Sequence, residues 1–187
     1  MKIWLTILVI FGSLLIGCSD SVVNPDNINQ NDNQKSFITL PQKQAMAVES
    51  DYSASKVING ETGGSFELNI KYKSKASDNV KIKAEIVVPA GAYSGEQNIT
   101  MVINSNDGTA TFYPDASTFN KSLIFNLDIQ GLDLSGIDPN SIDFVSLSPD
   151  GSYQPVEYKK IKVKVNKGEL GVDNALIPHF SIYGWTR

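Results

Sequence analysis

The sequence predicts an all-β protein: a single antiparallel β-sandwich of about eight or nine strands, preceded by a signal peptide and a disordered tether. Three observations predict it. Beyond residue 53, apolar side chains alternate with polar ones in run after run, the period of two that turns one face of a strand to a core and the other to water. The runs are short and are separated by clusters of Gly, Pro, Asn and Asp at regular spacing, as in sandwiches and barrels. No long stretch carries a helical period, which leaves sheet packed on sheet as the way to bury the apolar faces.

The first element lies ahead of the sandwich. Met1-Lys2 is a short basic start, and residues 3–16 form an apolar run of 14 residues that closes on Leu15-Ile16-Gly17-Cys18. A membrane helix needs roughly 20 apolar residues and a secretory signal only about 7 to 15, so the run reads as a signal peptide. The closing four residues resemble the bacterial lipobox, in which a small residue precedes a cysteine that receives diacylglycerol and becomes the mature N-terminus. The resemblance implies cleavage between Gly17 and Cys18, a lipid on Cys18, and a place in the bacterial cell envelope. The expected address is the outer membrane, facing the periplasm or the cell surface. Cys18 is the only cysteine, so no disulfide forms within the chain and stability must come from the core. Two or three acyl chains, at about 0.8 kcal/mol per buried methylene, anchor a protein without a spanning helix.

Residues 18–53 are expected to be the lipidated N-terminus and a flexible tether. Asn24, Asn27, Asn29, Asn31 and Asn33 almost alternate, and apolar periodicity is nearly absent; such a segment buries too little apolar surface to offset its chain entropy. About 35 residues of flexible chain have a root-mean-square reach of roughly 30 Å. Ile38-Thr39-Leu40 and Ala45-Met46-Ala47-Val48 are left open, as transient contacts or a first short strand. The whole chain has 16 basic and 20 acidic residues. Removing residues 1–17 takes away Lys2 and no acid, leaving 15 against 20, a net charge of −5. An acidic domain without a basic patch predicts no nucleic-acid partner, and no phosphate loop, Cys/His cluster or nucleophile elbow points to a cofactor.

The domain is expected over residues 54–187. Phe66, Leu68, Ile70 and Tyr72 alternate with polar residues, and Val80, Ile82, Ala84 and Ile86 do the same, which predicts a hairpin joined by residues 74–79. Ile99, Met101 and Ile103 continue the pattern; residues 109–112 follow a polar turn at 104–108; Leu123, Phe125, Leu127 and Ile129 make another strand. Residues 144–148, residues 153–158, and Ile161, Val163 and Val165 come next. The last strand is read as one run over residues 176–185, holding the only histidine and the densest apolar and aromatic sequence outside the signal. Pro149-Asp150-Gly151 combines a preset φ, a side-chain acceptor and a residue tolerant of positive φ, so it predicts a turn. Pro89-Ala90-Gly91 and Asn166-Lys167-Gly168 break the chain in the same way. Helix has room only at residues 135–142, where Asp138-Pro139-Asn140 can begin a single turn.

Several short motifs, taken in order, resemble one known family. They are Gly63-Gly64 before a strand, Val88-Pro89-Ala90-Gly91-Ala92-Tyr93, Phe112-Tyr113-Pro114 with Phe119, Asp150-Gly151-Ser152-Tyr153, and His179-Phe180-Ser181 followed by Tyr183. Over residues 57–183 the chain is similar to the ZU-type β-sandwich domain of ankyrins, zonula occludens proteins and netrin receptors. The resemblance implies a non-enzymatic module for protein interaction or a structural role, with an unknown protein or envelope partner. It also implies a sharper alternative, because some ZU-containing scaffold proteins cut themselves between the Phe and Ser of His-Phe-Ser. In that chemistry Ser181 Oγ would attack the Phe180 carbonyl, His179 would assist its deprotonation, and water would release the ester. If the strand ran straight through, His179 and Ser181 would share one face and Phe180 the other. The reaction also requires a distorted peptide and an oxyanion donor.

Two further readings stand beside these. Asp128, Asp133, Asp138 and Asp143 recur at intervals of five, and oxygen-rich loops of this kind can bind Ca²⁺, although the spacing matches no EF-hand loop and turn formation explains aspartates beside Gly131, Gly136 and Pro139. Tyr183 and Trp185 could form an aromatic platform on a carbohydrate-binding sandwich, against the simpler reading that they are core and edge cover.

Overall fold

The computed structural model describes residues 35–44, 50–75, 79–114 and 118–187, and residues Lys35–Arg187 form one compact unit. The signal peptide, Gly17, Cys18 and the segment Ala45-Met46-Ala47-Val48 lie outside the described residues.

Among the described residues eleven strands pack as two antiparallel sheets. They are β1 (Tyr52–Asn59), β2 (Gly64–Tyr72), β3 (Val80–Val88), β4 (Glu96–Ile103), β5 (Ala110–Tyr113), β6 (Thr118–Gln130), β7 (Asp143–Leu147), β8 (Tyr153–Pro155), β9 (Lys160–Lys164), β10 (Glu169–His179) and β11 (Ile182–Thr186). The six-stranded sheet has the order β1-β4-β5-β11-β7-β8, and the five-stranded sheet β2-β3-β6-β10-β9. The sandwich is therefore as expected, with two more strands than the nine read from sequence. One is β1, which opens on Tyr-Ser-Ala-Ser-Lys and buries only Ile58 fully, since an edge strand needs little apolar alternation. The other arises because the closing run is two strands in different sheets.

The hairpin over residues 66–86 forms in register, Phe66 opposite Ile86 and Ile70 opposite Ile82. In β3 the alternate residues Val80, Ile82, Ala84, Ile86 and Val88 are buried while Lys81 and Lys83 are exposed. The predicted turns follow their chemistry: Gly151 and Gly91 take positive φ, and Ser152 N–H donates to the Asp150 carboxylate at 2.9 Å. Gly168 closes the β9–β10 hairpin in the left-handed region, where a Cβ would stand 2.1 Å from the Leu132 carbonyl oxygen. Asp138 caps the single 3₁₀ turn Pro139–Ser141, and a second such turn forms at Val165–Lys167.

The start of the domain differs from the expected boundary at residue 54. Residues 35–44, read as tether, lie as a strap across one end of the sandwich. Ser36 and Arg187 exchange backbone hydrogen bonds, Ile38 N–H donates to the Trp185 carbonyl at 2.8 Å, and Gln44 N–H reaches the Lys73 carbonyl at 3.0 Å. Ile38 and Leu40 are buried in the core. Their apolar pattern is two residues long, too short to show a period, and only the open end of the sandwich supplies the partners that order them.

Aromatic rings fill the opposite end of the core. Phe112 meets Phe125 edge-on at 5.1 Å and stacks on Phe180 at 5.8 Å, while Phe180 meets Phe119 edge-on at 4.9 Å. These offset and edge-to-face arrangements add to what burial alone contributes.

Candidate functional site

His179, Phe180 and Ser181 stand where the chain leaves one sheet for the other. β10 pairs with β6 and β9, and its ladder to β6 shifts register between Ile177 and His179. Pro178 sits at that shift; with no N–H to donate, it suits a place where the ladder ends. β11 then begins at Ile182 between β5 and β7 in the other sheet. The single closing strand expected over residues 176–185 is therefore corrected to two strands in different sheets that meet at this crossing.

Phe180 is buried in the aromatic cluster, His179 is exposed, and Ser181 is half-buried. Ser181 Oγ donates to the Leu147 carbonyl at 2.7 Å. His179 Nδ1 lies 3.3 Å from the carbonyl oxygen of Phe180, so a protonated Nδ1 donates to the oxygen of the bond that the self-cleavage chemistry would break. The geometry gives the histidine the position of an oxyanion donor, whereas the serine proton is held by another carbonyl. Tyr183 supplies a contact the sequence did not disclose: its hydroxyl donates to the His179 carbonyl at 2.7 Å. Burial pushes the Tyr183 phenol well above its ordinary range, which keeps it a donor at any physiological pH.

A groove of about 880 Å³ opens over this crossing, lined by Tyr113, Thr118, Pro149, His179, Ser181 and Ile182 among others. It is largely apolar because β11 starts only at Ile182, leaving the lane between the ends of β5 and β7 without a strand. The groove and the strap lie at opposite ends of β11, since Ile182 opens it and Thr186, opposite Phe37 of the strap, closes it.

The other predicted positions do not converge. Asp133 and Asp138 each accept from the residue two further on, Ser135 and Asn140; the Ser135 hydroxyl, with its backbone N–H, holds the Asp133 carboxyl below the usual range. Asp143 pairs with Lys35 at 2.6 Å and Asp128 with Lys162. Among the described residues no group of three acidic, His or Cys side chains is placed to hold a metal ion. Asp133 and Asp138 thus sit in separate Asx turns, where short side chains bond the neighbouring backbone, and Asp128 and Asp143 in ion pairs. Tyr183 and Trp185 are 1% and 2% exposed, so the proposed sugar platform of these two rings is also corrected: their parity in β11 turns them to the core.

Comparison with protein-family models, with curated proteins and with solved structures gives no match. What the fold defines is thus a class, an antiparallel β-sandwich closed by an N-terminal strap, and the ZU-type resemblance rests on its motifs.

Proposed function

We propose that the protein is a lipid-anchored envelope lipoprotein that displays a non-enzymatic β-sandwich for contact with another protein or envelope component. The observation that carries this reading is the polarity of the fold. The strap where the folded unit begins lies at one end, and the groove opens at the other. Cys18 stands 17 positions before Lys35 (35 − 18), a stretch of at most about 60 Å when fully extended. Such a stretch is long enough to hold the folded unit clear of lipid head groups, and the groove is the surface it offers for contact.

The lipobox predicts that the protein labels with palmitate and fractionates with membranes. A Cys18→Ala chain that labelled equally would overturn the anchor. The module half of the reading predicts an intact chain. Self-cleavage would need Ser181 to give up its hydrogen bond to Leu147 and the Phe180 peptide to distort, and relaxing an ω twist of about 12° returns only about 1 kcal/mol. Denaturing mass spectrometry of fresh and aged protein should show full mature length; loss of residues 181–187 that depends on His179 and Ser181 would establish the self-processing alternative instead.

A further inference from the structure

The outer face of the five-stranded sheet balances its charges in one part and not in another. Three of its lysines find carboxylates: Lys83 pairs with Glu67 at 3.2 Å, Lys164 with Glu169 at 2.9 Å, and Lys162 with Asp128. Glu85 accepts from Asn126 Nδ2 at 3.1 Å. Lys71, Lys73, Lys75 and Lys81 are exposed and form no ion pair among the described residues. Residues 71–83 hold five lysines against one acid, Asp78, so this stretch carries +4 in a chain of net −4 and leaves −8 (−4 − 4) for the rest.

Register brings these lysines together. Lys71 in β2 stands directly opposite Lys81 in β3, with about 5 Å between their Cα atoms, and Lys73 follows two residues on, about 7 Å along the chain. Lys75 lies beside the strap, its N–H donating to the Gln42 carbonyl at 3.0 Å. Like charges directly opposite one another destabilise a sheet. Protection of an open edge accounts for lysines on β2, which is an edge strand. It does not account for Lys81, because β3 is paired on both sides. In its row across the sheet the one carboxylate, Glu169, is taken by Lys164. A repulsion that no described carboxylate relieves points to a counter-charge from outside.

We propose that this lysine cluster is a contact for an anionic lipid surface, made through the phosphates of its head groups. The lysine spacing lies within the screening length of about 8 Å at physiological salt, so the cluster acts on a membrane as one charge. Each lysine held near an anionic leaflet raises affinity about fivefold. The only arginine of the chain, Arg187, is not among these residues. Arginine's planar fork selects a single phosphate, whereas lysine point charges on flexible stems suit a surface of many. β6 runs from Thr118, which lines the groove, to Gln130, which is in register with Lys81. The cluster is thus about 40 Å along the sheet from the groove, and a unit resting on it keeps the groove open to other partners. A stretch from Cys18 that can hold the unit clear of the head groups also lets it settle on them. The inference concerns the charges of the folded unit alone and holds whether or not Cys18 carries lipid.

The test uses the whole mature chain from residue 18 with Cys18→Ala, so that no acyl chain contributes. It should co-sediment with phosphatidylcholine vesicles containing about 30% phosphatidylglycerol, bind less as NaCl rises from about 50 to about 300 mM, and ignore vesicles of phosphatidylcholine alone. Lys71→Gln with Lys81→Gln should weaken binding by at least about tenfold. Lys159→Gln with Lys160→Gln, two exposed lysines at the opposite edge of the sheet, should leave it within about twofold. Lys71→Glu separates a binding role from a structural one: facing Lys81, it should hold or raise the melting temperature while it weakens binding. No binding to anionic vesicles, equal binding to neutral ones, or binding that the two double variants change alike overturns the proposal. So does release by millimolar inorganic phosphate beyond that by chloride at equal ionic strength, since the cluster would then hold a single phosphate.

Discussion

Phe180 shows how a single residue joins the candidate site to the core. Its ring lies between Phe112 and Phe119, while its carbonyl oxygen faces His179. Phe180→Ala should therefore cost about 3–5 kcal/mol, a large part of a typical stability of about 5–15 kcal/mol; urea unfolding measures it, and a loss under about 1 kcal/mol would remove the ring from the cluster. Tyr183 gives a pH signature. Burial raises its phenol, so the folded state holds that proton more tightly than the unfolded chain. The stability this supplies is complete below the ordinary phenol pKa of about 10 and is lost as the pH climbs from there towards the raised value. Tyr93, also buried and donating to the Ile58 carbonyl, acts with the same sign. Tyr183→Phe should cost about 1 kcal/mol at neutral pH through the lost hydrogen bond and should flatten the alkaline fall in melting temperature without abolishing it. An unchanged alkaline limb would show that Tyr183 ionises freely.

At the scale of elements, alternation made the central strands legible and left the edges and the crossing obscure. β3 reads directly because five buried residues stand two apart. β1 does not, because its Ser and Lys face water and a neighbouring edge. The split between β10 and β11 had one local signal, Pro178, inside a run whose apolar residues otherwise read as continuous. The strap makes the clearest prediction. Leu40→Ala should cost about 2–5 kcal/mol, and a chain beginning at residue 54 should melt well below one beginning at residue 35, because it lacks Ile38, Leu40 and the first residues of β1. Equal melting temperatures would mean that the strap covers the core without stabilising it.

The molecule as a whole has a built-in reporter of that coupling. Of its two tryptophans, Trp4 lies in the expected signal peptide, and Trp185 is buried with its carbonyl bonded to the strap at Ile38. If strap and sheets form one cooperative unit, Trp185 fluorescence and far-ultraviolet circular dichroism should report coincident denaturant transitions. A fluorescence change that clearly precedes the loss of sheet signal would show the strap opening by itself. The four ion pairs among the described residues contribute little to this balance. Three of them are about half exposed on at least one side chain, and Lys162–Asp128 is about one-third exposed on both, in the range where such pairs supply about 0–1 kcal/mol.

The sequence by itself determined the class of fold, the central strands and the turns, because pleat periodicity and turn chemistry are local: Ile82 faces inward for the same reason in any sheet, and Gly151 accepts a positive φ wherever it sits. The same local logic named His179, Phe180 and Ser181 as neighbours of interest. Only the tertiary structure decided what they touch. The crossing between sheets hands the Ser181 proton to Leu147, 34 residues away, and turns His179 to the Phe180 carbonyl. It also decided that residues 35–44 belong to the domain, since that depends on strands far apart in the chain being brought together by a shared core.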